Sequence, residues 1–375
     1  MPSQILHVLF GDDVITGIYR SIGARFGLAA DRALETIRKD YRTAFALGCQ
    51  GPDIFYHSQR MRPVGLEYGT LLHRRGAGLF TAGLLQLCLP GPPPGKNAIL
   101  TGERGINALG VYALGFMTHA VLDREAHPYI IYKSEPPASE SPSRGTDRLS
   151  RNGSQYHAFF ERIIDALMLR KLRGEEAASW DQEAVLARIC GEPPPGLKEL
   201  LVRALVLAFP ERAGKDEKLK RRVDNTFADC ARFYRLTSPR RTSVGAQGDS
   251  VDGGEGEAVD LRTLVYVYPE RLPAGIDFLN EKKAPWYYPV GTGGEDCRSF
   301  PEIYAGAVNK AAAAIAPVIA AYLETGIFPV REAAQAIGNG GLSIHDSEGR
   351  PCAATRSAPL PLDRVLRQQA ELRGL

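Results

Sequence analysis

The stretch GFMTHAVLDREAHPY, Gly115 to Tyr129, places a metal-ligand type of side chain at every fourth residue: His119, Asp123 and His127. At about 100° per residue these three fall on one helical arc of about 80°. Ala120, Val121, Leu122 and Ala126 lie between them, which suits a buried helix. A single histidine there reads most simply as a hydrogen-bonded core residue. Two histidines and an aspartate on one apolar face ask for more, because a buried ionised carboxylate needs a cation or a partner. His119 and Asp123, at i and i+4, can share one ion. His127 lies a further ~6 Å along the axis and is expected to serve a second, with Pro128 turning the chain behind it.

Working outward, apolar residues recur at three and four almost everywhere and rarely alternate, so the chain reads as all-α. Helices are expected from Asp31 to about Gly48, from Tyr68 to Leu84 and from Gly105 to the residue before Pro128. Further helices are expected at about 155–172, 196–209, 215–236 and 301–325. Residues 134–154 and 238–257, rich in Ser, Arg, Gly and Pro, read as long flexible loops, and the segment after 336 as a tail. With 375 residues at roughly 150 per domain one or two domains are possible. No composition shift forces a split, so a single domain over 1–335 is expected, its ligands within 1–165 and its later helices between 196 and 325.

A second ligand pair, His157 and Glu161, is again spaced i, i+4, among Phe159, Phe160, Ile163 and Ile164. With His127 it would complete a three-ligand site that leaves coordination positions open. His73, in Leu71-Leu72-His73-Arg74-Arg75, can join His119 and Asp123. Asp53, in Gly51-Pro52-Asp53, is either an ordinary turn aspartate or a ligand or general base aimed at a metal-bound water. His7 has apolar neighbours on both sides.

Lys+Arg 46 against Asp+Glu 43 leaves a formal charge of +3. That near balance and the lack of a basic-aromatic stripe weigh against nucleic acid as the partner. The apolar run Ala311–Leu323 is too short to span a bilayer and contains Pro317. The amino terminus lacks the basic region of a secretion signal. Six scattered cysteines form no CxxC pair, so the expected setting is cytoplasmic, with free thiols.

In this order, His7, Gly51-Pro52-Asp53, His73, His119/Asp123/His127 and His157/Glu161 resemble the zinc-dependent phospholipase C family. That family shares an all-helical trinuclear-zinc fold with the fungal single-strand-specific nucleases. Phe278-Leu-Asn280, Trp286, Pro289 and Ser299-Phe300-Pro-Glu302 are also similar to bacterial members without a secretion signal. The resemblance implies one zinc at His73, His119 and Asp123 with Asp53 beside it, and another at His127, His157 and Glu161. It implies a third held by His7 and the free amino terminus, towards which Asp123 would bridge. Secreted relatives expose a processed terminal Trp; here removal of Met1 would leave Pro2, and the Asp123–His127 spacing is shorter. The implied activity is hydrolysis of a phosphodiester, phospholipid among the candidates, by a water that two or three zinc ions activate and Asp53 orients or deprotonates. A nuclease of the same fold and a non-catalytic metal-stabilised helical binding module are the alternatives. His345-Asp346 has the letters of an HD phosphohydrolase pair, but its glycine-rich surroundings are not the helix such a pair needs.

Overall fold

A computed structural model describes residues 4–58, 60, 64–88, 106–136, 153–243, 259–291, 294–346, 348 and 350–375. The protein is all-α. Among the described residues the one regular sheet is a two-residue antiparallel pair, Trp286–Tyr287 with Glu295–Asp296.

The organising element is the helix Ala108–Ser134. It starts at Asn107, whose side chain accepts a hydrogen bond from the Gly110 amide. It is apolar on nearly every side, and it is accordingly buried on nearly every side. The helices Gln4–Phe26, Arg42–Cys49, Ala77–Leu87, Gly153–Arg173 and Phe300–Thr325 pack around it. Arg42–Cys49 comes closest, because glycines face each other's backbone there. A Cβ on Gly48 would lie 2.2 Å from the Tyr112 carbonyl oxygen, and one on Gly115 2.5 Å from that of Phe45.

The central helix runs straight past Pro128, where the sequence led us to expect its end. Proline forfeits one intrahelical hydrogen bond, but Tyr129, Ile130, Ile131 and Tyr132 behind it are all buried. Burial of those side chains outweighs the local preference. The expected helix over 68–84 is two, Val64–Arg74 and Ala77–Leu87, broken at Gly76, whose φ of 79° is left-handed. The expected helix over 31–48 is likewise divided: Leu28–Glu35 passes into a π-turn over Thr36–Asp40, and Arg42–Cys49 follows. The later helices lie close to where they were expected, at Leu197–Ala208, Leu219–Leu236 and Phe300–Thr325.

The segment after 336 is built into the body of the protein. Val330–Ile337 is helical, Leu342 and Ile344 are buried, and a last helix covers Leu362–Leu372. Most of the two stretches expected as flexible loops (134–154 and 238–257) lies outside the described residues, as does the Met1-Pro2 terminus. Pro239–Thr242, at the start of the second, forms one helical turn. Phe300–Thr325 continues through Pro317 and is long and apolar enough to cross a membrane. Here one face of it, including Phe300, Ile303, Ala307, Ala311 and Ile315, packs into the core.

Candidate metal centre

Two groups of ligand-type side chains meet on the inner face of the central helix. The first is Asp53, His73, His119 and Asp123; the second is His127, His157 and Glu161. Within each group the candidate donor atoms lie within 4.8 Å of one another. The helical arithmetic of the sequence is realised: His119 and Asp123 face one group, and His127, one turn on, belongs to the other.

Asp53 arrives on the 3-10 turn Gly51–His57, immediately after the Arg42–Cys49 helix. Gly51 makes that turn possible, since its φ is +54° and a Cβ there would sit 2.3 Å from the His119 ring. His73 comes from the last turn of Val64–Arg74. Its Nε2 lies 3.0 Å from Asp53 Oδ1 and 3.3 Å from Asp123 Oδ2. His119 Nε2 lies 3.0 Å from Asp123 Oδ2 and 3.8 Å from Asp53 Oδ2. Although so close, His119 Nε2 and Asp123 Oδ2 make no hydrogen bond. Both side chains belong to the first group of candidate donors.

The other ring nitrogens settle the tautomers. His73 Nδ1 meets the Gly69 carbonyl at 2.7 Å, His119 Nδ1 the Cys49 carbonyl at 3.1 Å, and His127 Nδ1 the Leu342 carbonyl at 2.9 Å. A carbonyl only accepts, so each Nδ1 is the donor and each Nε2 faces inward, towards the carboxylates. His157 Nδ1 instead meets the Glu135 carboxylate at 2.7 Å, with its Nε2 3.1 Å from Glu161 Oε1. This is the outer-shell support that metal-bound histidines receive. His127 joins the groups: its Nε2 is 3.8 Å from Glu161 Oε1 and its Nδ1 3.7 Å from Asp123 Oδ2.

His7 completes the arrangement from the opposite side. Its ring stacks on His119 with centroids 4.2 Å apart, and its Nε2 is 3.3 Å from Asp123 Oδ1. Nothing acidic stands in the first turn of the Gln4–Phe26 helix, so its amides are capped from elsewhere. Fully buried Asp165 accepts hydrogen bonds from the amides of Gln4, Ile5 and Leu6 at 2.9, 3.2 and 2.8 Å. Arg162 and the Tyr268 hydroxyl hold the same carboxylate. That cap fixes the backbone one residue before His7.

Burial raises the carboxylates and lowers the histidines, and the mutual charges reverse most of this. Against burial, His119 and His127 hold Asp123 well below the usual carboxylate range, and His119 and His73 depress Asp53. Burial likewise works against charge on His73 and His7, yet Tyr56 and Asp53 push the first up and Asp123 the second. His157 is raised to about 9 despite burial, by Glu161 and Glu135; for His127 burial wins and its pKa is lowered. Without a metal, protons thus hold together a buried cluster of three acids. A divalent cation is the natural replacement for those protons. Nitrogen and carboxylate donors with their supports in place fit a metal ion at each group.

The structure brings the expected residues together: Asp53, His73, His119 and Asp123 in one group, His127, His157 and Glu161 in the other, and His7 beside the first. The amino terminus, expected beside His7, falls outside the described residues. His57 is elsewhere, stacked on Phe233 at 4.0 Å and lowered by burial to about 3. His345 lies in an isolated bridge with Pro351.

Sequence reasoning missed the supports. Glu135 follows the central helix with no periodic signal, and a main-chain carbonyl has no residue type to find. It also missed Arg124. Beside Asp123, its guanidinium donates to the carbonyls of Ile337, Gly338, Gly340 and Gly341. With the Leu342 amide donating to the His73 carbonyl at 2.8 Å, this clamps the 337–342 segment over the site. No family model, no curated protein and no solved structure matches the chain.

Proposed function

We propose that the protein is a metal-dependent phosphodiester hydrolase of phospholipase C type, with zinc in both ligand groups. One observation carries the proposal: two groups of nitrogen and carboxylate donors, buried and braced, share the edge formed by Asp123 and His127. Among the described residues the donors include no thiolate, and imidazole with carboxylate suits zinc. Paired divalent ions, when bound, make hydroxide available near neutral pH and offset charge on phosphoryl oxygens.

His73, His119 and Asp123 would hold one ion, and His127, His157 and Glu161 the other. Asp123 also keeps His7 and His119 in register, and the Asp165 cap fixes the approach of His7. Asp53 is ionised and 3.0 Å from His73 Nε2. It orients the attacking water and accepts its proton as the new P–O bond forms. The departing oxygen leaves with a proton from solvent. No Ser or Cys nucleophile is needed, and buried Cys49, held far above a reactive range by burial, is unsuited to the part.

Elemental analysis of the purified chain is expected to give two zinc per chain, with a third if the amino terminus contributes. Bis(p-nitrophenyl) phosphate should be hydrolysed, the activity should vanish with chelator, and zinc should restore it. Two bound zinc ions with no turnover of this diester, of phospholipids or of single-stranded oligonucleotides would sink the hydrolase reading and leave a metal-stabilised binding module.

A further inference from the structure

A cavity of about 940 Å³ opens beside His73. Tyr56, His73, Arg74 and Arg75 line one wall, and Ser343 and Arg350, from the segment beyond the Arg124 clamp, line the other. His73 is the ligand it reaches, with the Tyr56 ring 5.1 Å from the His73 ring. No carboxylate lines it among the described residues.

The three arginines differ. Arg350 is neutralised by Asp346 at 2.8 Å and Glu348 at 2.9 Å. The side chains of Arg74 and Arg75 have neither an ion-pair nor a hydrogen-bond partner among the described residues. Arg74 and Arg75 are exposed and both border the cavity, so they give it a positive potential. Among the described residues the protein supplies no anion to either.

Charge balance says what the ligand would be, given the hydrolase reading on which this inference rests. Two divalent ions would offset the four carboxylates of Asp53, Asp123, Glu161 and Glu135, so the single negative charge of a diester answers only one of the two guanidinium charges of Arg74 and Arg75. A phosphomonoester carries about −1.5 to −2 at neutral pH, and guanidinium groups bind it through paired N–H donors. We infer that Arg74 and Arg75 form a subsite for a second phosphoryl group on the same substrate, so that the preferred diester carries a phosphomonoester on the part lying in this cavity.

The test uses the zinc-loaded full chain and the double variant Arg74→Ala/Arg75→Ala. Two substrate pairs separate the sources of such a group: glycerophosphoinositol with and without a 4-phosphate, and thymidine 5′-(p-nitrophenyl phosphate) with and without a 3′-phosphate. The wild type should prefer the phosphorylated member of one pair. The variant, with unchanged zinc content, should lose about 10- to 100-fold in kcat/KM on that member, mostly through KM, and far less on its partner. Equal losses on both members, or no preference in the wild type, overturn the subsite. If no diester is turned over at all, the hydrolase reading fails by itself. Calorimetry with inositol 1,4-bisphosphate and adenosine 3′,5′-bisphosphate then decides the subsite alone. Tight binding of either that the variant loses sustains it, and binding that is absent or unchanged ends it.

Discussion

The first ligand group gathers Asp53, His73, His119 and Asp123 from a 3-10 turn and two helices, whereas the second needs only the central helix and Gly153–Arg173. The first holds two carboxylates among its ligands and borders His7. The second holds one, and leans on Glu135 from outside for its charge. The difference shows how differently a fold can balance two neighbouring charge clusters. In the first, each acid faces two or more imidazoles, and backbone carbonyls orient the His73 and His119 rings. In the second, one histidine, His157, lies between two acids, and its partner His127 depends on a carbonyl that arrives from 215 residues further along.

Asp123→Asn should break the comparison most severely, because this carboxylate faces His7, His73, His119 and His127. Zinc at the first group should be lost, and with several kcal/mol of charge stabilisation gone, turnover should fall about a thousandfold or more. Elemental analysis alongside diester hydrolysis checks both.

Glu161→Gln should remove one zinc per chain and leave the other, since the first group does not use it. Loss of both ions would show that the groups are one cooperative site. Glu135→Gln keeps every ligand and weakens only the support of His157, so zinc affinity at the second group should drop about 10- to 100-fold, with the first unchanged. A competition titration against a chelator of known affinity resolves the two.

The groups should also part in pH. His157 is raised to about 9, so its proton stabilises the metal-free fold fully below about 6.5 and stops doing so as pH climbs through 9. Zinc must expel that proton, and affinity at the second group should rise about tenfold per pH unit across this window. A flat profile would mean that His157 is already neutral in the metal-free protein. His345→Ala, a donor in neither group, should change neither zinc content nor turnover, and a loss of activity would return attention to the His345-Asp346 pair.

Much of the centre could be read from residue types. Side chains at i and i+4 on an apolar helix announce themselves, and the two pairs His119/Asp123 and His157/Glu161 did so without any knowledge of the fold. What converged on them from far away was harder. His73 and His7 have apolar neighbours that suit burial, but nothing local says which helix each will face. The braces were invisible because a carbonyl oxygen is the same at every residue. Pro128 misled for a different reason: its local preference is real, and tertiary burial of the next four residues overrode it. At Gly76 the signal for a break was present, in a glycine following two arginines, and the apolar periodicity across it masked the interruption.

The clamp of Arg124 on residues 337–341 has a consequence for how the protein comes into being. All eight candidate ligand side chains lie within the first 161 residues, yet the oxygen that steadies His127 belongs to Leu342. A nascent chain halted before that point would own every donor and still lack the roof that aligns one of them. If the second group holds an ion, the competence to retain it would be gained late in translation, and metal occupancy would then indicate that synthesis has run past the clamp.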